Sequence, residues 1–380
     1  RPKMRIAFLS SSMGWGGLER NLQRYALWMQ GAGHEVEINA VPESPLATSV
    51  VASNLPLRFI PRQRRYLPIG AASALKKHLL TNRFDVLWIR DPRDLPLAAW
   101  AARGLNCALI FQQGMQIPKP KNAPWHRMRF AAVNRWVSPL HGLREEALRN
   151  TPLKKAQTEV IALALEDEWF DKIGDKKNGR KEWGIPERVP IIGLFGRIDP
   201  LKGQADLLRA LAEPEATQWH AFIIGENTPN AKGVNHQNEL QDLAVALNVA
   251  NRVHWRPPTD RLAAAYDCCD AYAMCSVSET FGMVTIEALS RQIPIIGTNT
   301  GGTPELLANG RFGKLYEPGN HQQLAQALNS LENWPMPSPS QLNAFRQSKA
   351  LEEWQQLLRH SRRSASVSYT HLRAHETVDY

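Results

Sequence analysis

Two glutamates eight residues apart, Glu279 and Glu287, lie in the run Ser278-Glu279-Thr280-Phe281-Gly282-Met283-Val284-Thr285-Ile286-Glu287-Ala288-Leu289. The apolar segment Ala271–Met274 before them is strand-like, and the segment after them has helical spacing. Glu279 therefore reads as a loop residue at a strand's carboxyl end, with Glu287 two turns into the following helix. In open α/β sheets that loop borders the crevice where ligands bind. Carboxylates there can accept hydrogen bonds from ligand hydroxyls, in which sugars are rich. A second element, Gly196-Arg197-Ile198-Asp199-Pro200-Leu201-Lys202-Gly203, follows the strand-like Ile191–Phe195 and opens a helix. Glycines let backbone approach a ligand closely, and a helix N-terminus favours an anion. Arg197 adds a planar fork of donors and Lys202 a mobile point charge. Together they suit a diphosphate leaving group on which charge grows. A plain βα turn with two solvated cations is the alternative.

The third element is the first βα loop, Ser10 to Glu19, with Gly14, Gly16 and Gly17. It occupies the position of a dinucleotide fingerprint, but bulky Glu19 stands at the third glycine position. Glu35 and Glu37 lie near the distance of a ribose-binding acid, which keeps a nicotinamide site as a weak reading. The alternatives are close approach of Gly16 and Gly17 to a substrate, or glycines needed only for a tight turn.

These elements need a scaffold. A chain of 380 residues, 43% hydrophobic and 22% charged, is a soluble globular type with two domains as the prior. Strand-like runs at Met4–Leu9, Glu35–Ala40, Val86–Ile89 and Ala108–Phe111 alternate with helical spacing. The polar stretch Asp171 to Arg188 reads as a linker or the run-in to a second domain. Alternation restarts at Ile191–Phe195, Ala221–Ile224, Val253–Trp255, Ala271–Met274 and Ile293–Gly297. Such βαβ alternation predicts parallel, doubly wound sheets. An amphipathic helix over Leu342 to Leu358 follows a stiff connector with Pro335, Pro337 and Pro339. The expected divisions are 1–168, 169–335, a returning C-terminal helix over 336–363, and a non-native or disordered tail over 364–380.

No apolar run reaches the roughly 18 residues of a membrane span. The run after the basic start is too short for a signal peptide, and Met4 is a candidate native start. Cys107, Cys268, Cys269 and Cys275 show neither disulfide nor zinc spacing, which fits a reducing cytosol. The net charge of +10 is uneven: residues 1–165 carry 24 Lys and Arg against 10 Asp and Glu, net +14, and the remainder 22 against 26, net −4. Local clusters are Arg62-Gln63-Arg64-Arg65 and Lys119-Pro120-Lys121, with Trp125, Arg127 and Arg129 close by. Such a half is drawn to an anionic acceptor or to the inner face of the cytoplasmic membrane, unless it is merely a solvated face. His34, His78, His126, His141, His220, His236 and His254 share no spacing and read as structural.

Over roughly residues 4 to 360 the chain resembles a family-4 retaining glycosyltransferase of GT-B architecture (glycosyltransferase group 1). The resemblance rests on Gly16-Gly17, on Gly196-Arg197 through Lys202-Gly203, on Glu279 and Glu287 around Phe281-Gly282, and on Pro294-Ile295-Ile296-Gly297-Thr298 with Gly301-Gly302, Pro304 and Glu305. It implies an α/β fold of two Rossmann-like domains facing a cleft. The N-terminal domain would bind the acceptor and the C-terminal domain a nucleoside-diphosphate sugar. Arg197 and Lys202 would grip the diphosphate, Glu279 the sugar hydroxyls, and Glu287 the ribose. The backbone of Phe281 and Gly282 would face sugar or phosphate, and Gly16 would touch the diphosphate or acceptor.

The implied reaction is retaining transfer to a glycan or glycolipid such as a lipopolysaccharide core. A UDP-sugar is the expected co-substrate, and no cofactor, metal or nucleic-acid partner is expected. A sugar-nucleotide epimerase or hydrolase on the same fold, or a non-catalytic sugar-nucleotide binder, is the alternative. The chain departs from the family pattern in two places. Gln112-Gln113 stands where many relatives have a histidine, and Ala162-Leu163-Ala164-Leu165-Glu166 replaces the usual Pro-Asn-Gly-Val-Asp junction. No Asp-x-Asp sits at a strand end, and Glu166-Asp167-Glu168 reads as a solvated turn.

Overall fold

The structure is a computed structural model that describes residues 3–62, 69–227, 235–330, 334 and 336–375, with the backbone course alone for 362–375. Arg64, Arg65 and Pro335 lie outside the described residues. The chain divides into two compact units. Unit 1 is Arg1–Ala162 with Lys349–Tyr380, and unit 2 is Leu163–Ser348.

Unit 1 is built on seven parallel strands: β1 (Arg5–Ser10), β2 (Glu35–Ala40), β3 (Leu57–Phe59), β4 (Val86–Ile89), β5 (Ala108–Gln112), β6 (Arg135–Ser138) and β7 (Thr158–Val160), in the order β3-β2-β1-β4-β5-β6-β7. Unit 2 has six: β8 (Ile191–Phe195), β9 (His220–Ile224), β10 (Val253–Arg256), β11 (Ala271–Met274), β12 (Ile295–Thr298) and β13 (Lys314–Tyr316), in the order β10-β9-β8-β11-β12-β13. Central strands covered on both faces are apolar throughout; every residue of β8 and of β11 is buried. Strand order reverses between β1 and β4, and again between β8 and β11. Ligands bind at such switch points, outside the carboxyl ends of the strands. The loops carrying Arg197–Lys202 and Glu279 leave β8 and β11, so both sit at the switch point of unit 2.

Four strands fall outside the runs expected from sequence. β3, β7 and β13 have three residues each, too few to show a period, and β6 opens on Arg135. The polar stretch 171–188 is not a linker but part of unit 2. Asp175 caps a helix, Lys176–Trp183, and left-handed Gly184 ends it. The buried Arg180 of that helix bonds the Cys268 carbonyl at 2.9 Å and the Asp270 carboxylate at 2.5 Å.

The boundary expected at 168/169 lies at 162/163. Leu165 is the physical reason: its N–H donates to Phe345 O and its carbonyl accepts from Gln347 N, which ties residues 163–168 to the end of unit 2. For the same reason the turn Pro339–Phe345 belongs to unit 2, where Leu342 is core. Asp167 is not a bare solvated acid, since it accepts from the Ser348 N–H and hydroxyl.

The last helix, Gln347–His375, packs in unit 1, where Trp354 is fully buried with its ring 4.1 Å from Trp88 and 5.9 Å from Tyr25. It does not stop at 363. Residues 364–375 hold no Gly or Pro, so nothing in them breaks the helix, and that part of the tail expected to be non-native or disordered is helical. His220 and His254 touch across neighbouring strands, Nδ1 to Nε2 at 3.0 Å, with burial foremost in pushing the His254 imidazole down to about 4. All four cysteines are free and buried.

Candidate functional site

After β8 the chain turns at Gly196 (φ +140°) and presents Arg197 to solvent. Ile198 is buried, and Asp199 closes the turn Pro200–Lys202 by accepting from Leu201 N at 2.8 Å. Gly203 follows at φ +70°, and the helix Gln204–Ala212 begins with no side-chain cap. Asp206 N donates to Gly203 O at 3.0 Å, and no side chain caps the N–H groups of Gln204 and Ala205 ahead of it, the arrangement that attracts an anion. Buried Gln204 pins the loop by donating from Nε2 to the Arg197 carbonyl at 2.8 Å.

The loop after β11 is stitched to this one. Val277 N donates to Leu201 O at 2.9 Å. A Cβ on Gly203 would lie 2.1 Å from Cys275 O, so only glycine admits the approach. The loop after β12 closes on the other side: Gly302 N donates to Glu279 O at 2.9 Å, and a Cβ on Gly301 would lie 2.0 Å from that oxygen. Three loops thus fix the backbone of Glu279. Its side chain meets Lys202, Nζ to Oε2 at 2.8 Å, with 29% and 21% of the two side chains exposed. Arg197 has no ion pair among the described residues. A half-solvated pair is worth about 1 kcal/mol or less, so a phosphate and a sugar hydroxyl can take over its two ends at small cost.

Glu287 is in a different situation. It sits in the helix Met283–Ser290, is nearly buried, and accepts from the Tyr266 hydroxyl at 2.8 Å. That hydroxyl is raised well above its ordinary range, by burial first and by the Glu287 charge next. Phe281 points its ring into the protein, edge-on to Phe345, so its backbone is what the loop exposes to a ligand. Gly282 starts the helix in the left-handed region (φ +92°).

In unit 1, Gly16 and Gly17 open the helix Gly17–Gly31, with Gly16 N donating to Glu19 at 2.8 Å. Neither has a positive φ, and a Cβ would meet only the Glu19 side chain at 3.6 Å from Gly16 and nothing from Gly17. The fold of this loop does not itself demand glycine at either position, which weakens the tight-turn reading. The nicotinamide reading fails on geometry. Glu35 lies at the amino end of β2, paired with Lys3 and Arg5 at 2.9 Å each, and Glu37 meets His78 at 2.8 Å. Gln112 and Gln113 are buried acceptors for the indole N–H groups of Trp88 and Trp136, both at 3.1 Å.

Two residues escaped sequence reasoning. Tyr266 is one. The other is Asp94, fully buried after β4, which accepts from Ser11 N at 3.1 Å and from the Ser11 hydroxyl and so anchors the glycine loop. Burial, seconded by the Asp91 charge, pushes its carboxyl up to about 7, while hydrogen bonds from Ser11 oppose the rise. The folded protein then holds this proton up to about pH 7, whereas the unfolded chain releases it near 3.8. Between those values the folded state binds more protons, so stability falls as pH rises through the window. Asp94→Asn should flatten that fall in melting temperatures measured from pH 4 to 7.5. Parallel curves for the two proteins would contradict the assignment.

Two doubly wound units with a cationic loop at a switch point define a two-domain α/β protein of GT-B build. The profile described as "Glycosyl transferases group 1" matches residues 175–348, and that described as "Glycosyl transferase 4-like domain" matches 16–141. The chain belongs to the family-4, group 1 glycosyltransferases. Among curated relatives, a "D-inositol 3-phosphate glycosyltransferase" of Rhodococcus jostii (strain RHA1) is 37% identical over 169 residues, 43% of this chain. The match takes in only 37% of that relative's length.

The solved structure of a glycosyltransferase from Rickettsia africae ESF-5 shares the fold with TM-score 0.80 at 18% identity, over 95% of this chain and 99% of that one. Anabaena Alr3699/HepE in complex with UDP and glucose does so with TM-score 0.70 at 20% identity, over 97% and 99%. Among the described residues no helix is long and apolar enough to cross a membrane.

Proposed function

We propose that this protein transfers a sugar from a nucleoside-diphosphate sugar to a hydroxyl of a glycan or glycolipid, with retention at the anomeric carbon. The observation that carries the reading is the Lys202–Glu279 pair at the switch point of unit 2, flanked by exposed Arg197 and an uncapped helix end. Arg197 and Lys202 hold the diphosphate and stabilise the charge it gains as its bond to the anomeric carbon breaks. The acceptor oxygen bonds that carbon from the same face, and its proton passes to the departing phosphate oxygen. Glu279 accepts from sugar hydroxyls and Glu287 from the ribose. The backbone at Phe281 and Gly282 faces the sugar or phosphate, and Gly16 approaches the diphosphate or acceptor. With two cations and a helix end compensating the charge, the reaction runs without metal or cofactor.

A UDP-sugar is the donor proposed first, UDP being the nucleotide named with the Anabaena structure of the same fold. The acceptor is anionic, a lipopolysaccharide core or other anionic glycolipid at the inner membrane face. The basic residues 1–165 support this, as does the phosphorylated inositol in the relative's name. A melting screen with UDP-, GDP- and ADP-sugars tests the donor, since a ligand of the native state raises the midpoint. Incubation with donor and acceptor in EDTA should then give a glycoside with the donor's anomeric configuration. An inverted product would defeat retention, and free sugar without glycoside would favour the hydrolase.

A further inference from the structure

Unit 1 contains a cavity of about 790 Å³ whose lining carries Arg62, Arg93, Lys119, Lys121 and Arg129 and no carboxylate. Arg62 of one basic cluster thus lies with Lys119, Lys121 and Arg129 of the other. Arg93 is already bound by Asp91, at 2.9 and 3.0 Å from Nε. Lys119, Lys121 and Arg129 have no ion pair among the described residues. His126 stands with them, and its imidazole is lowered by burial first and then by Arg129 and Lys121. Phe111 and Trp136, stacked 4.0 Å apart and parallel to within 1°, form a buried floor, and the exposed Met13 and Met115 give the accessible apolar lining. Ser11 and Met13 of the glycine loop complete one edge.

Lys121 and Arg129 are partly buried beside the exposed Lys119, and cations gathered without a carboxylate repel one another and lose hydration unless an anion enters. The volume is that of a site for a ligand of sugar-phosphate size. A cationic patch beside exposed apolar side chains selects a molecule with a phosphate at one end and a ring or hydrocarbon at the other.

We propose that this cavity binds a phosphate ester, its phosphate among Lys119, Lys121 and Arg129 and its ring or hydrocarbon against Met13 and Met115. That the ester is the acceptor rests on the glycosyltransferase reading above; that it binds does not. Phenyl phosphate is the probe, titrated calorimetrically into the full chain beside phenol, inorganic phosphate and UDP. Phenyl phosphate should bind more tightly than phosphate or phenol. Lys121→Gln with Arg129→Gln should weaken it at least about tenfold, the loss of charge-assisted hydrogen bonds, while Lys121→Arg retains it and UDP affinity stays unchanged.

Equal binding of phenyl phosphate by wild type and the double variant overturns the proposal, even if UDP binds. UDP failing to bind while phenyl phosphate binds leaves the cavity assigned and removes UDP as the donor's nucleotide. Trp125 and Met128, 63% and 66% exposed on the helix Pro124–Ala131, separate the sources of the phosphate. If it is a lipid headgroup, vesicles of phosphatidylcholine with phosphatidylglycerol displace phenyl phosphate and Trp125→Ala weakens vesicle binding alone. If it is a soluble ester, vesicles do not compete.

Discussion

Gly203→Ala should lower the melting temperature of unit 2 and abolish donor binding together. Two costs coincide at this position. The backbone is left-handed at φ +70°, which costs a residue with a Cβ about 1–2 kcal/mol. The new Cβ would lie 2.1 Å from Cys275 O and 2.8 Å from its carbonyl carbon. These are backbone atoms of the next loop and cannot rotate away. The loop must shift by more than an ångström, which breaks the Val277-to-Leu201 hydrogen bond and carries Glu279 away from Lys202. Overpacking adds about 1–3 kcal/mol. Gly17→Ala is the matched control, because a Cβ there meets open space and should leave the melt unchanged. A Gly203→Ala protein that melts and binds like wild type would mean that the two loops are not interlocked.

The parts of the fold legible in the sequence are those decided by local composition. β4, β8 and β11 are continuous apolar runs and β1, β5 and β9 are so but for their ends, as buried parallel strands must be. The placement of Arg197, Lys202 and Glu279 on loops after β8 and β11 was legible because a strand end followed by a helix start is a local signal. What was not legible depends on residues far apart in the chain. Arg180 looked like part of a polar linker, yet it is buried by contacts with Cys268 and Asp270, some ninety positions away. Asp94 holds Ser11 across 83 positions, and Glu287 meets Tyr266 in a neighbouring helix. The unit boundary moved because one residue, Leu165, pairs with backbone near 346. Charge clustering gave a half-answer. It marked Lys119, Lys121 and Arg129 as basic, but their convergence without a carboxylate is a property of the folded unit.

The Lys202–Glu279 pair makes a further prediction with opposite signs for its two members. In the free protein Glu279 occupies Lys202 at 2.8 Å. A diphosphate must take Lys202 from Glu279, and a sugar hydroxyl must then satisfy the carboxylate. Lys202→Ala removes the cation from both events. UDP and UDP-sugar should both bind more weakly, and kcat should fall about 10²–10³-fold, the usual loss on deleting one group that stabilises a developing anion. Glu279→Ala removes only the competitor and the sugar contact. UDP alone should bind unchanged or up to about fivefold more tightly, since a partly exposed pair is worth up to about 1 kcal/mol. UDP-sugar should lose its advantage over UDP.

The double variant completes the cycle. If Lys202 served only to hold Glu279 in place, it would be no worse in kcat than either single variant. If the two residues address different parts of the donor, their losses multiply. Titration of UDP and UDP-sugar against the four proteins, with kcat for each, decides between these, and equal weakening of UDP by both single variants would refute the division of labour.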